Sequence, residues 1–310
     1  MKRAFVIALA LWSGVVPVAF AQAPGVPVEK QGRKQNQQEE EISRASKELF
    51  LAGKAVKLTE LKEQLKRKTF ELTLPKPLTT KLSSREICVA ARQSHVRVGW
   101  AYLCNRCDDW HVNLAGGYFI RADGVIATCY HVAQPDRDIK DGCIIAVDEN
   151  GKVCGVKEVL AANRYSDTCI VRIDGKGFKP LPLNTNTYAG DMVYCYSDPL
   201  DHRGYFSQGI VNRFYQFPGR RPVSAPESAS YAPTRINVGT DWAPGSSGSA
   251  VLDECGNAIG HVSTIATFTD EEVTETAEKP DRRAMVLSTM IVFHEAVAAS
   301  DVFWLIKSAK

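Results

Sequence analysis

Residues 243–251 read APGSSGSAV, a glycine-framed turn that presents Ser247 between two segments able to form strands. A serine that attacks a carbonyl needs a tight turn to expose its hydroxyl, and small neighbours that let backbone N–H groups face the developing oxyanion. Here the N–H groups of Gly245 and Ser247 are the candidates for that oxyanion hole. Small polar turns are common in sheet proteins, so the motif taken alone favours an ordinary turn.

Two upstream stretches supply partners for a nucleophilic serine. Residues 128–132 (TCYHV) contain His131, and residues 166–171 (SDTCIV) contain Asp167. The order His, Asp, Ser, with intervals of 36 and 80 residues, differs from the orders found in subtilisins and α/β-hydrolases. Asp174 is a weaker candidate for the acidic position.

These three motifs resemble the trypsin- and chymotrypsin-like serine proteases, most closely the bacterial HtrA-type branch without a PDZ domain. The resemblance implies an all-β fold of two antiparallel six-stranded β-barrels, with His131 and Asp167 on the first and Ser247 on the second. It also implies an endopeptidase in which His131 is the general base, Asp167 orients it, and Ser247 forms an acyl-enzyme. This chemistry requires no metal ion and no organic cofactor.

The same resemblance predicts three substrate-binding residues. Asp241 lies six residues before Ser247, where trypsins place the carboxylate that selects Lys or Arg; a structural role for this Asp is the alternative. Ser263 and Ile265 lie on the strand that borders the substrate in this family. Because Ile265 stands where trypsins have glycine, we expect a narrowed pocket for small aliphatic side chains, or no sharp preference. Ser246 replaces the trypsin aspartate that pairs with a newly cut N-terminus, which argues against activation by that cleavage.

The N-terminus predicts export. A basic start at residues 1–3, an apolar run over residues 4–20 and a small-residue cleavage site at Ala19-Phe20-Ala21 are typical of a secretory signal peptide over residues 1–21. The short run contains Pro17, which argues against the alternative of an uncleaved membrane anchor. We therefore expect a periplasmic or extracellular protein with no stable membrane insertion after cleavage.

Charge favours no nucleic-acid partner. The formal net charge of +3 becomes +1 once Lys2 and Arg3 are removed. A nucleic-acid binder usually has a larger basic surplus, or basic residues interleaved with aromatics on one face. The expected partner is a protein or peptide substrate.

After the signal peptide, the composition predicts a charged, partly helical segment at 22–82, and the resemblance implies the first barrel at 83–178 and the second barrel with a C-terminal helix at 179–310. Helical spacing over residues 39–51 and 58–65 predicts two short helices in the first of these. Their role is docking on the barrel, self-association into a homo-oligomer, or that of a spacer.

Three later stretches complete the prediction. Residues 291–306 have the spacing of a closing amphipathic helix with Val297, Val302 and Leu305 on its buried face. Residues 218–233 and 269–283 read as loops, the first exposed and mobile.

Nine cysteines permit disulfides in an exported protein, although the odd number leaves at least one unpaired within the chain. Cys143 and Cys154 flank a hairpin turn signal and could face each other across two strands. Cys104 and Cys107 form a C-x-x-C pair, which is a local bridge, a pair of reduced thiols, or half of a zinc site with His111 as third ligand. The absence of a second paired-cysteine motif favours the bridge or the thiols.

Two other function classes stay open at this point. A binding or scaffold protein could keep the protease fold with a gated or idle site. An esterase could use the same triad on a different acyl group.

Overall fold

The computed structural model describes residues 33–134, 139–216, 232–269 and 289–307. The predicted signal peptide lies outside the described residues, as do most of the loops predicted at 218–233 and 269–283. No helix in the described ranges is long and apolar enough to cross a membrane.

Two helices precede the barrels, as the apolar spacing predicts. They are α1 (Arg33–Leu51) and α2 (Leu58–Gln64). Ile42 of α1 packs in a cluster with Cys143 and Ile145, and Leu61 of α2 packs among residues of the first barrel. The described apolar face of this segment is therefore docked on the barrel, the first of the three predicted roles.

A capping box starts the next helix, α3 (Ser84–Ser94). The Ser83 hydroxyl accepts a hydrogen bond from the Glu86 N–H at 3.3 Å, and the Glu86 carboxylate accepts one from the Ser83 N–H at 2.8 Å. This reciprocal pair satisfies backbone donors that a helix start leaves open.

The first barrel is closed and antiparallel, in the strand order β2-β3-β4-β7-β6-β5. A short helix, α4 (Tyr130–Ala133), follows β4 directly. Side chains that alternate along the strands fill the interior, because successive residues of a strand point to opposite faces. The strands are β2 (His95–Leu103), β3 (Trp110–Phe119), β4 (Val125–Thr128), β5 (Asp141–Val147), β6 (Val153–Asn163) and β7 (Thr168–Ile173).

The second barrel is also closed and antiparallel, in the order β10-β13-β12-β11-β8-β9. A 3₁₀ turn, Pro199–Asp201, follows its first strand. The prediction of two six-stranded barrels in a chymotrypsin-like arrangement is thereby confirmed. The strands are β8 (Met192–Ser197), β9 (Tyr205–Gln216), β10 (Thr234–Val238), β11 (Ala250–Leu252), β12 (Ala258–Thr269) and β13 (Thr289–Ala298).

The C-terminal helix is shorter than the sequence predicts. Residues 289–298 form β13, and only α5 (Ala299–Phe303) is helical before β14 (Ile306–Lys307). β13 hydrogen-bonds to β12 on one side and to β10 on the other, so sheet pairing in the tertiary structure overrides the helical spacing of the apolar residues. β14 then pairs in parallel with β1 (Phe70–Glu71).

Cys143 and Cys154 do not lie opposite each other, contrary to the hairpin interpretation. The turn between β5 and β6 sets the register Val147↔Val153, which places Cys154 across from Ala146. Cys143 is three residues further along β5 and pairs with β2 instead. All nine cysteines are free thiols in the structure.

The two barrels share one apolar cluster. It contains Tyr118 and Ile120 from the first barrel, and Tyr194, Ala250 and Leu252 from the second. This packing brings the start of β11, and the loop before it, against β3 and β4.

Candidate active site

Ser247 lies in the loop between β10 and β11, and the first barrel touches this loop directly. The Gly116 N–H of β3 donates to the Ser247 carbonyl at 2.7 Å. Gly248 has φ +85°, and a Cβ there would lie 2.3 Å from the Gly116 carbonyl oxygen and 2.4 Å from Thr128 Oγ1. Only glycine therefore lets the serine loop approach β3 and β4 this closely.

Gly245 adopts a backbone conformation that L-residues with a side chain rarely adopt. Its φ is +101°, and a Cβ would lie 2.7 Å from the Asp198 carbonyl oxygen. Within the described residues, the N–H groups of Gly245 and Ser247 donate to no backbone acceptor. Both residues line the cleft described below, so the two donors are available to an oxyanion.

A buried side-chain pair lies beneath this loop and was missed by the sequence reasoning. His95 Nε2 is 3.2 Å from Asp198 Oδ2, and both side chains are almost fully buried. Burial alone would raise the pKa of Asp198, but the charge and hydrogen bond of His95 outweigh it and lower that pKa to about 2. Asp198 also accepts from the Gly204 N–H at 2.9 Å. The pair fixes the turn against which Gly245 rests.

His131 and Asp167 are in direct contact. Nδ1 of His131 is 3.0 Å from each carboxylate oxygen of Asp167, and the His131 backbone N–H donates to Oδ1 at 3.1 Å. His131 lies on α4 just after β4, while Asp167 precedes the neighbouring strand β7. Asp167 has φ +60°, a left-handed conformation that a non-glycine residue adopts only when its surroundings hold it.

The pair shifts both pKa values in the direction that a base and its orienting acid need. Burial opposes the imidazolium, but the hydrogen bond and charge of Asp167 outweigh it and raise the pKa of His131. Burial likewise opposes the Asp167 carboxylate, but the His131 hydrogen bond and charge, with a hydrogen bond from Ser263, lower its pKa. Asp167 therefore stays ionised when His131 takes up a proton.

The second barrel holds the Asp167 turn through three side chains. Ser263 Oγ donates to Asp167 Oδ2 at 2.7 Å, His261 Nε2 is 3.2 Å from the Asp167 carbonyl oxygen, and Arg235 donates to the Ser166 carbonyl at 3.0 Å. Burial lowers the pKa of His261 to about 4, so the neutral ring donates from Nε2. Sequence reasoning missed Arg235 and His261; the available signal was that each is the one titratable residue of its strand segment.

One open cleft of about 680 Å³ joins the predicted catalytic residues. His131, Asp167, Gly245, Ser247 and Ser263 all line it. Within the described residues, the Ser247 hydroxyl makes no direct hydrogen bond to His131.

The other two predicted substrate-binding residues do not line this cleft. Asp241 is exposed, and its N–H donates to Ser207 Oγ at 3.2 Å. Ile265 packs on the core cluster of the second barrel. Trp242, the residue after Asp241, is buried, and its ring centroid lies 5.1 Å from that of His294. The substrate roles of Asp241 and Ile265 stay predictions.

Asp174, the weaker candidate for the acidic position, is exposed and pairs with Lys157 at 3.2 Å. Its position after Ile173, at the far end of β7 from Asp167, is consistent with a surface role.

Cys129, His131 and Asp167 bring possible metal-ligating atoms within 4.8 Å of one another. The Cys129 thiol, however, donates to the Val262 carbonyl at 3.0 Å, and burial raises its pKa well above the ordinary value. A neutral thiol that is already a donor is a poor metal ligand.

Residues 115–260, which include all three predicted catalytic positions, match the family model of the trypsin-like peptidase domain. Over this part of its length the chain is similar to the trypsin-like serine proteases. The match supports a serine endopeptidase, a hydrolase. A crystal structure of the serine endoprotease from Yersinia pestis matches it with a TM-score of 0.46 and 18% identity, over 72% of this chain and 64% of that one. The protease therefore spans less than two thirds of that structure, and no curated protein matches it.

Proposed function

We propose that the protease hydrolyses peptide bonds of exported or extracellular proteins through an acyl-enzyme on Ser247. The observation that carries this proposal is the shared cleft, in which a His131–Asp167 pair lies beside Ser247 and two N–H groups with no backbone acceptor. This combination supplies a base, a nucleophile and an oxyanion hole at one place.

In the proposed mechanism His131 takes the Ser247 proton as Oγ bonds to the peptide carbonyl carbon. The carbonyl π electrons move to the oxygen, which accepts hydrogen bonds from the N–H groups of Gly245 and Ser247. His131 then gives its proton to the leaving amine, and the C–N bond breaks. His131 then takes a proton from water, whose oxygen bonds to the ester carbon; the bond between that carbon and Ser247 Oγ breaks, and His131 returns the proton to Oγ as the acid leaves. Asp167 stays ionised and stabilises the imidazolium in both halves.

The proposal includes export of the protein and its assignment to the HtrA-type branch. The features of residues 1–21 support secretion to the periplasm or beyond, and the triad motifs support the HtrA-type branch. Self-association through residues 22–82 would have to use the exposed face of this segment, because Ile42, Leu58, Leu61 and Leu65 pack on the barrel.

A second candidate is a gated or idle protease fold. It is favoured by one observation, the missing hydrogen bond between Ser247 and His131. An esterase would use the same triad and the same acyl-enzyme steps, and would differ only in its acyl substrate.

The test is active-site labelling of purified mature protein with a fluorophosphonate probe, followed by peptide mass mapping. We expect an adduct on Ser247 that is absent from Ser247→Ala and much slower in His131→Ala. If the adduct forms, the rates at which unlabelled protein hydrolyses a peptide library and aryl esters then distinguish a peptidase from an esterase. Well-folded protein that forms no adduct would establish the gated or idle alternative.

A further inference from the structure

The hairpin between β2 and β3 brings three metal-ligating side chains together, away from the catalytic residues in sequence. Cys104 and Cys107 lie in the turn, and His111 is the second residue of β3. Their ligand atoms lie within 4.8 Å of one another, with Cys107 Sγ 3.0 Å from His111 Nε2. The catalytic chemistry uses none of the three.

We propose that Cys104, Cys107 and His111 bind one Zn²⁺ ion, with water as the fourth ligand. Tetrahedral zinc, with Zn–S of about 2.3 Å and Zn–N of about 2.0 Å, places its ligand atoms roughly 3.5–3.8 Å apart. Cys107 Sγ and His111 Nε2, at 3.0 Å, are slightly closer than this, and all three ligand atoms lie within 4.8 Å of one another, so small side-chain rotations complete the site. The C-x-x-C spacing followed by a histidine supplies the soft sulfur and imidazole donors that zinc prefers.

The backbone of the turn already holds the sulfurs in place. The Arg106 N–H donates to Cys104 Sγ at 3.4 Å, and the Cys104 N–H donates to the Asp109 carbonyl at 2.9 Å. Asp108 has φ +56°, which turns the chain back after Cys107. The register Tyr102↔His111 then fixes the histidine beside the turn. The ligands therefore belong to one rigid hairpin, and ordering them costs little entropy.

The surroundings admit a cation. Cys107 and His111 are exposed, so an ion and a water ligand reach them from solvent. His111 also lines a cavity of about 780 Å³ with Glu39, Glu40 and Asp109. Asp108 and the cations Arg44 and Lys47 line the same cavity, so its carboxylates outnumber its cations by two, which favours a divalent cation.

A Cys104–Cys107 bridge is the competing use of the two thiols. A bridge has no use for an imidazole 3.0 Å from one sulfur, whereas a metal site requires a third donor at that place. The His111 contact therefore favours the ion.

The experiment is a titration of reduced, metal-free, full mature protein with Co²⁺ and then Zn²⁺. We expect one equivalent of Co²⁺ to give the sulfur-to-metal charge-transfer and intense d–d bands of tetrahedral coordination, and one equivalent of Zn²⁺ to abolish them. Cys104→Ser, Cys107→Ser and His111→Ala should each weaken binding at least 100-fold. Cys255→Ser, which removes another partly exposed thiol, is the matched control and should bind as the wild type does.

Fluorophosphonate labelling or circular dichroism shows whether each variant is folded. His111→Ala keeps both thiols and is the decisive variant if a cysteine variant misfolds. Three results would each overturn the proposal. They are Co²⁺ spectra of octahedral coordination, an unchanged metal affinity in folded His111→Ala, and a Cys104–Cys107 disulfide without zinc in protein isolated without chelator.

Discussion

The Ser263 hydroxyl donates to Asp167 Oδ2 at 2.7 Å, so a residue of the second barrel holds the acidic residue of the first. The sequence interpretation assigned Ser263 to the substrate, but the structure directs its side chain to the His131–Asp167 pair. Two barrels that carry different parts of a catalytic site need such contacts, because small shifts between the reacting groups reduce turnover steeply.

Ser263→Ala is expected to lower kcat/KM about tenfold, the effect of losing roughly 1.4 kcal/mol of a charge-assisted hydrogen bond. KM should change little, since Asp167 acts through His131. Steady-state kinetics check this, with Thr264→Ala as control because its hydroxyl faces Glu295 at 3.3 Å. Equal losses in both variants would contradict the assignment.

Asp167→Asn is expected to lower kcat by about 10⁴-fold, because the amide favours the wrong imidazole tautomer and cannot stabilise the imidazolium. Wild-type kcat/KM should rise with pH through a pKa above the ordinary 6.5 or so, since Asp167 raises the pKa of His131 and only the neutral ring accepts a proton. In Asp167→Asn this limb should move to lower pH. Asp174→Asn removes an exposed acid and should leave the profile unchanged.

Gly245→Ala should lower kcat by about 10²–10³-fold, the cost of misplacing an oxyanion-hole donor. The new Cβ would meet the Asp198 carbonyl oxygen, so the loop must shift. Gly151→Ala is the matched control, because Gly151 has φ +80° and no atom within 4 Å of a Cβ. Backbone strain should lower the thermal unfolding temperature of both variants, but only Gly245→Ala should lose activity.

Asp241→Ala is expected to leave the kcat/KM ratio between Lys or Arg and aliphatic P1 substrates unchanged, because Asp241 is exposed and does not line the cleft. A peptide library with varied P1 residues measures this ratio. A selective loss of Lys and Arg cleavage would restore the trypsin-like role for Asp241.

Asp301→Asn should stabilise the protease at neutral pH. Burial raises the pKa of Asp301 to about 7, and in the described part of the chain the one hydrogen bond to its carboxylate comes from the Thr234 N–H. The folded state therefore binds a proton that the unfolded state has lost, so stability falls as the pH rises from about 4 through 7, by up to about 4 kcal/mol. Denaturant unfolding at pH 4, 5.5 and 8 should show a gain that is smallest at pH 4 and largest at pH 8. Asp174→Asn should show no such dependence.

The sequence predicted much of the local structure. The helices over residues 39–51 and 58–65 and the turn that presents Ser247 depend on neighbouring residues, and the order of His131, Asp167 and Ser247 carried the resemblance that implied both barrels. It failed at residues 291–298, where helical spacing and sheet pairing compete and only the presence of β10 and β12 decides between them.

By itself, then, the sequence determined the strand segments, the turns and the three residue types of the triad, because hydrophobic period and backbone conformation are local properties. The tertiary structure alone decided what surrounds Asp167. Arg235, His261 and Ser263 are 68, 94 and 96 residues from it in the chain, and only closure of the second barrel against the first brings them there. Strand register also decided which cysteines lie close together. Cys143 is three residues from the position opposite Cys154, whereas the tight β2–β3 hairpin keeps Cys104, Cys107 and His111 together.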